Sequence, residues 1–162
     1  MLIAAAAVYG GVSYTALKRE QLNELEALCH MLRLMQDELE TRALPLPELA
    51  AQLEERTESA GKALLSGLLR RLPELGSRDF QNIWEECVTE SVKHSEEAAR
   101  LLCTLGSFLG RYDVDSQLEA IRSCRETLEK LRTTAAEALP QTRRLGMGLA
   151  LTSGALIVIT LI

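Results

Sequence analysis

Four cysteines and two histidines are the side chains best suited to bind a metal or to serve as nucleophile and base. A metal site asks for ligands at short, repeated spacing, and nucleophilic catalysis asks for a thiol or hydroxyl within reach of a base. Cys29, Cys87, Cys103 and Cys124 meet neither demand: they stand far apart, form no C-x-x-C pair, and each lies in an apolar-periodic stretch. Free buried thiols in a reducing compartment fit them better than disulfides or zinc. His30 follows Cys29 directly, which on a helix turns the two about 100° apart and makes a poor shared metal site. His94 stands among Lys93, Ser95 and Glu96, the composition of a solvated helix end. Glu54 and Glu55, Glu85 and Glu86, and Glu96 and Glu97 are neighbours whose carboxylates diverge by the same about 100°, as on a wetted surface rather than in an acid/base pair. No phosphate-binding glycine loop, G-x-S-x-G or H-E-x-x-H occurs, and Gly106 and Gly110 suit close packing and a C-cap in a Leu-rich helix end. The residues therefore predict no catalytic group, no cofactor and no metal, and the chain reads as a non-enzyme.

The charges must be positioned too, and their distribution divides the chain. All 18 Lys and Arg and all 23 Asp and Glu of the 162 residues fall between Lys18 and Arg144. The net charge of -5 is spread through that stretch without a basic run, which excludes a nucleic-acid partner. Residues 145–162 hold nine Leu, Ile or Val and no charge, and as a helix they reach about 27 Å, close to the thickness of a bilayer core. Residues 1–17 are as free of charge, and with no basic n-region or cleavage site they read as an uncleaved membrane helix. Lys18 and Arg19 close the first segment and Arg143 and Arg144 open the second, so the positive-inside rule puts residues 18–144 in the cytoplasm and both chain ends on the other side. Ala7, Gly11 and Thr15, and Gly146, Ala150 and Gly154, recur every four positions and give smooth faces for packing between the segments or between subunits of a homo-oligomer.

Between the segments, periodicity predicts six helices and no sheet, an all-α antiparallel bundle flanked by two transmembrane helices. Leu22, Leu25, Leu28, Leu32, Met35 and Leu39 form the stripe of a first helix that continues from the first apolar segment to about Thr41. Pro47 and Glu48 fit the first turn of a second helix with Leu49 and Leu53 on its stripe. Leu64, Leu65, Leu68, Leu69 and Leu72 mark a third, ended by Pro73 and Gly76. Ser77 is the expected cap of a fourth, on which Phe80, Trp84, Cys87 and Ser91 share a face, with Trp84 a core anchor. A fifth, EEAARLLCTLGSFLG, is expected to end at Gly110. The sixth begins between Asp113 and Ser116, where Ser116 and Glu119 have capping-box spacing, runs through Leu118, Ile121, Leu128 and Leu131, and is kinked or interrupted at Pro140.

Three stretches, DELETRALPLPELA, FQNIWEECV and LGRYDVDSQLEAI, taken with the apolar ends, resemble the stage III sporulation protein AB family over nearly the whole chain. The positions that carry the resemblance are Glu38, Pro45, Leu46, Trp84, Glu85, Leu109, Gly110, Asp113 and Gln117. The resemblance implies a membrane assembly linking mother cell and forespore, with a helical domain similar to the cytoplasmic domains of type II secretion platform proteins. It implies a non-enzymatic scaffold in the mother-cell membrane that couples a cytoplasmic secretion-type ATPase to other membrane proteins of the complex. Glu38, Glu85 and Gln117 are expected to gather in a polar cluster at one end of the bundle or to form a partner surface. A membrane-tethered helical ligand-binding or sensor module is the alternative, and a membrane-bound hydrolase would require perturbed titratable groups in a cleft.

Overall fold

The computed structural model describes the backbone of residues 2–42, 44–109 and 113–161 and the side chains of residues 16–42, 44–109 and 113–138. Among these lie six helices: α1 (Leu2–Arg42), α2 (Leu46–Glu54), α3 (Ser59–Arg71), α4 (Phe80–Ser91), α5 (Glu96–Gly106) and α6 (Val114–Leu161). One 3-10 turn, Leu72–Glu74, follows α3, and the described residues contain no strand.

The apolar stripe of α1 is wider than a single helix contact requires. Leu25, Leu28, Met31, Leu32, Met35 and Leu39 are all buried, because α1 packs on α6 along one side and on α2 and α3 along another. The α1–α6 contact is the most extensive in the molecule, with Ile121, Cys124 and Leu128 buried on the α6 side. Its direction follows from two ion pairs: Glu40 meets Arg122 at 3.5 Å and Glu26 meets Arg132 at 3.9 Å, so numbers rise along α6 as they fall along α1. The helices are antiparallel, as expected, and the start of α1 and the end of α6 lie at the same end of the pair. Exposed ion pairs contribute at most about 1 kcal/mol each, so the apolar seam and not its salt bridges holds the pair.

The remaining helices are laid on that pair by their caps. Pro45 has φ -56° and ψ 143° and its carbonyl accepts the Leu49 N–H at 3.0 Å; Pro47 follows in the first turn, where a missing N–H costs nothing. After the 3-10 turn Gly76 takes φ +104°, a left-handed conformation suited to glycine. Ser77 does not cap α4: its hydroxyl donates to the Glu74 carbonyl at 2.8 Å, inside the turn, and Asp79 holds the N-cap position. Ser95 caps α5 by accepting the Ala98 N–H at 3.3 Å. The expected end of α5 at Gly110 is replaced by an end at Gly106, beyond which Phe108 N–H closes onto Leu105 O at 2.9 Å in a tightened turn; Gly110 lies outside the described residues. Asp113 starts α6, its carbonyl accepting the Gln117 N–H at 3.2 Å, and Ser116 donates its hydroxyl to the Asp113 carboxylate instead of acting as the cap itself. The helix runs on through position 140 to Leu161, so Pro140 does not interrupt it.

No helix among the described residues is long and apolar enough to cross a membrane. The expected segments 1–17 and 145–162, with Ala7, Gly11, Thr15, Gly146, Ala150 and Gly154, lie outside the described side chains except for Ala16 and Leu17. Backbone helix is continuous across both expected domain boundaries, 17/18 and 144/145, which therefore do not coincide with element ends.

Gly106 is where α5 comes closest to α4. A Cβ there would fall far inside van der Waals contact with Trp84 Cδ1 and would meet Gln81 Oε1 at 3.0 Å. Gly106→Ala should therefore lower the unfolding free energy by about 1–3 kcal/mol and alter Trp84 fluorescence; urea titration followed by that fluorescence measures both.

Candidate functional site

The expected site residues separate into those that build the bundle and those that face outward. Trp84 is fully buried, donates its indole N–H to the Leu102 carbonyl at 2.6 Å, and stacks on Phe80 with centroids 6.1 Å apart. Leu109 is buried, Leu46 packs half-buried against the core, and Pro45 and Asp113 are caps. Contact with Ser116, through hydroxyl and backbone N–H, holds the Asp113 carboxyl below the usual aspartate range. Gln117 is a buried polar residue on α6.

Glu38 and Glu85 share no partner. The Glu38 carboxylate accepts from Arg56 at 2.6 Å and lies 3.9 Å from Arg42, tying α1 to the α2–α3 link. Glu85 accepts Gln81 Nε2 at 2.7 Å on the exposed side of α4. That side is a shallow depression lined by Arg78, Asn82, Glu85, Glu86, Thr89 and Glu90, with α4 packed on α3 and α5 behind it. Its other carboxylates are matched: Arg71 bonds Glu90 at 2.6 Å and lies 3.7 Å from Glu86, and Arg78 bonds Glu86 and, at 2.9 Å, Glu74. The Arg78 guanidinium keeps the Glu86 carboxyl below the ordinary glutamate range. Among the described residues Glu85 is thus the carboxylate of this face without an arginine.

The apolar stripe read from the sequence leaves out Glu24. This glutamate is 6% exposed, and its carboxylate accepts the backbone N–H of Lys93 at 2.8 Å and of His94 at 3.1 Å, bridging α1 to the loop between α4 and α5. His94 Nε2 lies 3.7 Å from Glu20, one turn earlier on α1. One signal was available, since Glu24 falls on the same helix face as Leu28, Met31 and Met35, where a lone acid must find a partner.

Among the described residues no thiol lies in surroundings that lower its pKa. Burial is the largest cause of the shift at every buried thiol: Cys29 is pushed up to about 11 and Cys124 to about 12, while Cys87 is raised despite Arg71 nearby. A second shallow cleft, between α1 and the α2–α3 link, is lined by Asn23, Glu26, His30, Arg56, Glu58 and Ser59. Among the described residues no three His, Cys, Asp or Glu side chains are grouped as a metal site.

The chain matches the family described as Stage III sporulation protein AB over residues 1–162. It belongs to that family. A solved structure described as Stage III sporulation protein AB (SpoIIIAB) is similar with a TM-score of 0.64 and 21% identity, over 75% of this chain and 97% of that one, a likeness that bears on the fold. No curated protein matches significantly. This member of the family is helical throughout its described elements, apart from turns and caps.

The raised thiols predict a labelling order. At pH 8 the half-buried Cys103 should react with iodoacetamide before Cys29 and Cys124, which should label only as the pH approaches their shifted values; peptide mass spectrometry after timed native labelling reads the order.

Proposed function

We infer that this member of the stage III sporulation protein AB family is a non-enzymatic membrane platform of the secretion-like complex between mother cell and forespore. Residues 1–17 and 145–162 are its transmembrane anchors in the mother-cell membrane, and the bundle between them is cytoplasmic. The observation that carries this reading is the antiparallel α1–α6 pair, which brings both charge-free ends to one end of the domain. A bundle so built can stand on a bilayer with two legs. Leu17, 56% exposed beside Lys18 and Arg19, has the composition of a lipid boundary, an apolar residue followed by cations. Small residues at Ala7, Gly11, Gly146, Ala150 and Gly154 supply the faces on which the anchors pack against each other or a second copy.

The bundle offers a surface for the secretion-type sporulation ATPase. Glu85 is the residue we assign to that contact, because its neighbours Glu86 and Glu90 are neutralised by arginines and Glu38 is spent on Arg56. Both clefts are shallow and lined by polar groups, which favours a scaffold over a small-molecule receptor.

Fractionation of the producing cells tests the platform. The full chain should sediment with membranes and resist carbonate extraction, and removal of residues 145–162 should weaken that association. From detergent, the full chain should retain the ATPase, and Glu85→Lys should reduce retention at least about tenfold, an effect expected for loss of one charged contact, while leaving the thermal unfolding midpoint unchanged. A full chain found in the soluble fraction would sink the anchors, and unchanged retention would remove Glu85 from the interface.

A further inference from the structure

We propose that the loop joining α4 to α5 is a strap closed over α1 by Glu24, which opens as a local unit while the bundle stays folded. The loop has two buried anchors, Val92 and Ser95, and two exposed residues between them, Lys93 and His94. The anchors are fixed independently of Glu24: Val92 N–H bonds the Val88 carbonyl at 2.9 Å, and Ser95 caps α5 and accepts the Ala99 N–H on its carbonyl at 3.0 Å. Lys93 and His94 are different. Their backbone N–H groups bond the Glu24 carboxylate, at 2.8 Å from Lys93 and 3.1 Å from His94, and the intervening chain belongs to no helix.

Two opposing effects act on such a closure. Charge-assisted N–H bonds favour the closed strap, but they hold an ionised carboxylate that is 6% exposed, and desolvating that charge opposes them. Opening returns the carboxylate and both N–H groups to water without disturbing Ile83, Trp84, Cys87 or Leu102, which lie within the helices. The contact between His94 Nε2 and Glu20, at 3.7 Å, is a second and weaker clasp. An open strap uncovers an acid on α1 only six positions after Lys18; that this end faces the membrane rests on the proposed function, whereas the strap itself does not.

Amide hydrogen exchange on the full chain in detergent, at several subdenaturing urea concentrations, tests the strap. Lys93 and His94 should exchange through an opening almost insensitive to urea, and the Val88 and Leu102 amides through one that urea strongly promotes. Glu24→Gln removes the charge and replaces one of the two acceptor oxygens by an NH2 donor, so it should speed exchange at Lys93 and His94 by about tenfold or more and leave Val88 and Leu102 unchanged. Exchange of all four amides with one common urea dependence would overturn the proposal, as would a folded Glu24→Gln protein with unaltered loop exchange. Should that variant fail to fold, the urea dependence of the unsubstituted chain decides alone.

Discussion

The pairing of the first helix with the last is the constraint on which the rest of the structure depends. α1 and α6 form the largest contact in the molecule, and the segment from α2 to α5 fills one flank of that pair before the chain can return. Contacts of such long sequence separation carry loop-closure entropy, so an apolar seam must offset it. Buried apolar residues of α1, with Ile121, Cys124 and Leu128 buried on α6, supply that seam. Glu26 with Arg132 and Glu40 with Arg122 line its exposed edge, where they act on register more than on stability.

Within the frame so made, a few buried polar groups decide where the short helices sit. The Trp84 indole finds the Leu102 carbonyl, and Gly106 leaves room for the ring, so α4 and α5 can approach only in one relation. Gly61 plays a similar part between α3 and α1, since a Cβ there would come within 3.1 Å of the Ala27 carbonyl oxygen. Glu24 then closes the loop at the far tip of the α4–α5 pair over α1 without setting the position of either helix. Each of these is a long-range bond or close approach rather than a regular repeat, and together they convert a set of amphipathic helices into one arrangement.

That difference also explains what could be read without coordinates. Apolar spacing, of Leu and Met in most helices and of Phe80, Trp84 and Cys87 in α4, marked every helix, because a buried face repeats with the helix period whatever it packs against. The burial of Trp84 and the close packing of Gly106 followed from the same logic. Caps were harder. Ser77 and Ser116 have the right side chains in nearly the right places, but Gly76 and the 3-10 turn draw Ser77 back to Glu74, and Asp113 takes the capping role ahead of Ser116. The place of Glu24 on the buried face of α1 follows from the helix period, but its partners are backbone groups about seventy residues away, which no local pattern encodes. Glu38 and Glu85 look alike in the sequence, whereas in the fold Glu38 braces α1 against Arg56 and Glu85 stays on the exposed side of α4.

The proposed platform requires its two ends to leave the domain together and enter the same membrane. Topology mapping measures that directly, with reporters active on opposite sides of the membrane fused before Met1, after Ile162, and within the exposed turn at Gly76. Two antiparallel legs require both ends to report from the side opposite the cytoplasm and the Gly76 insertion to report from within it. Reporters on both ends active on the cytoplasmic side, or on opposite sides of the membrane, would contradict the two-legged arrangement.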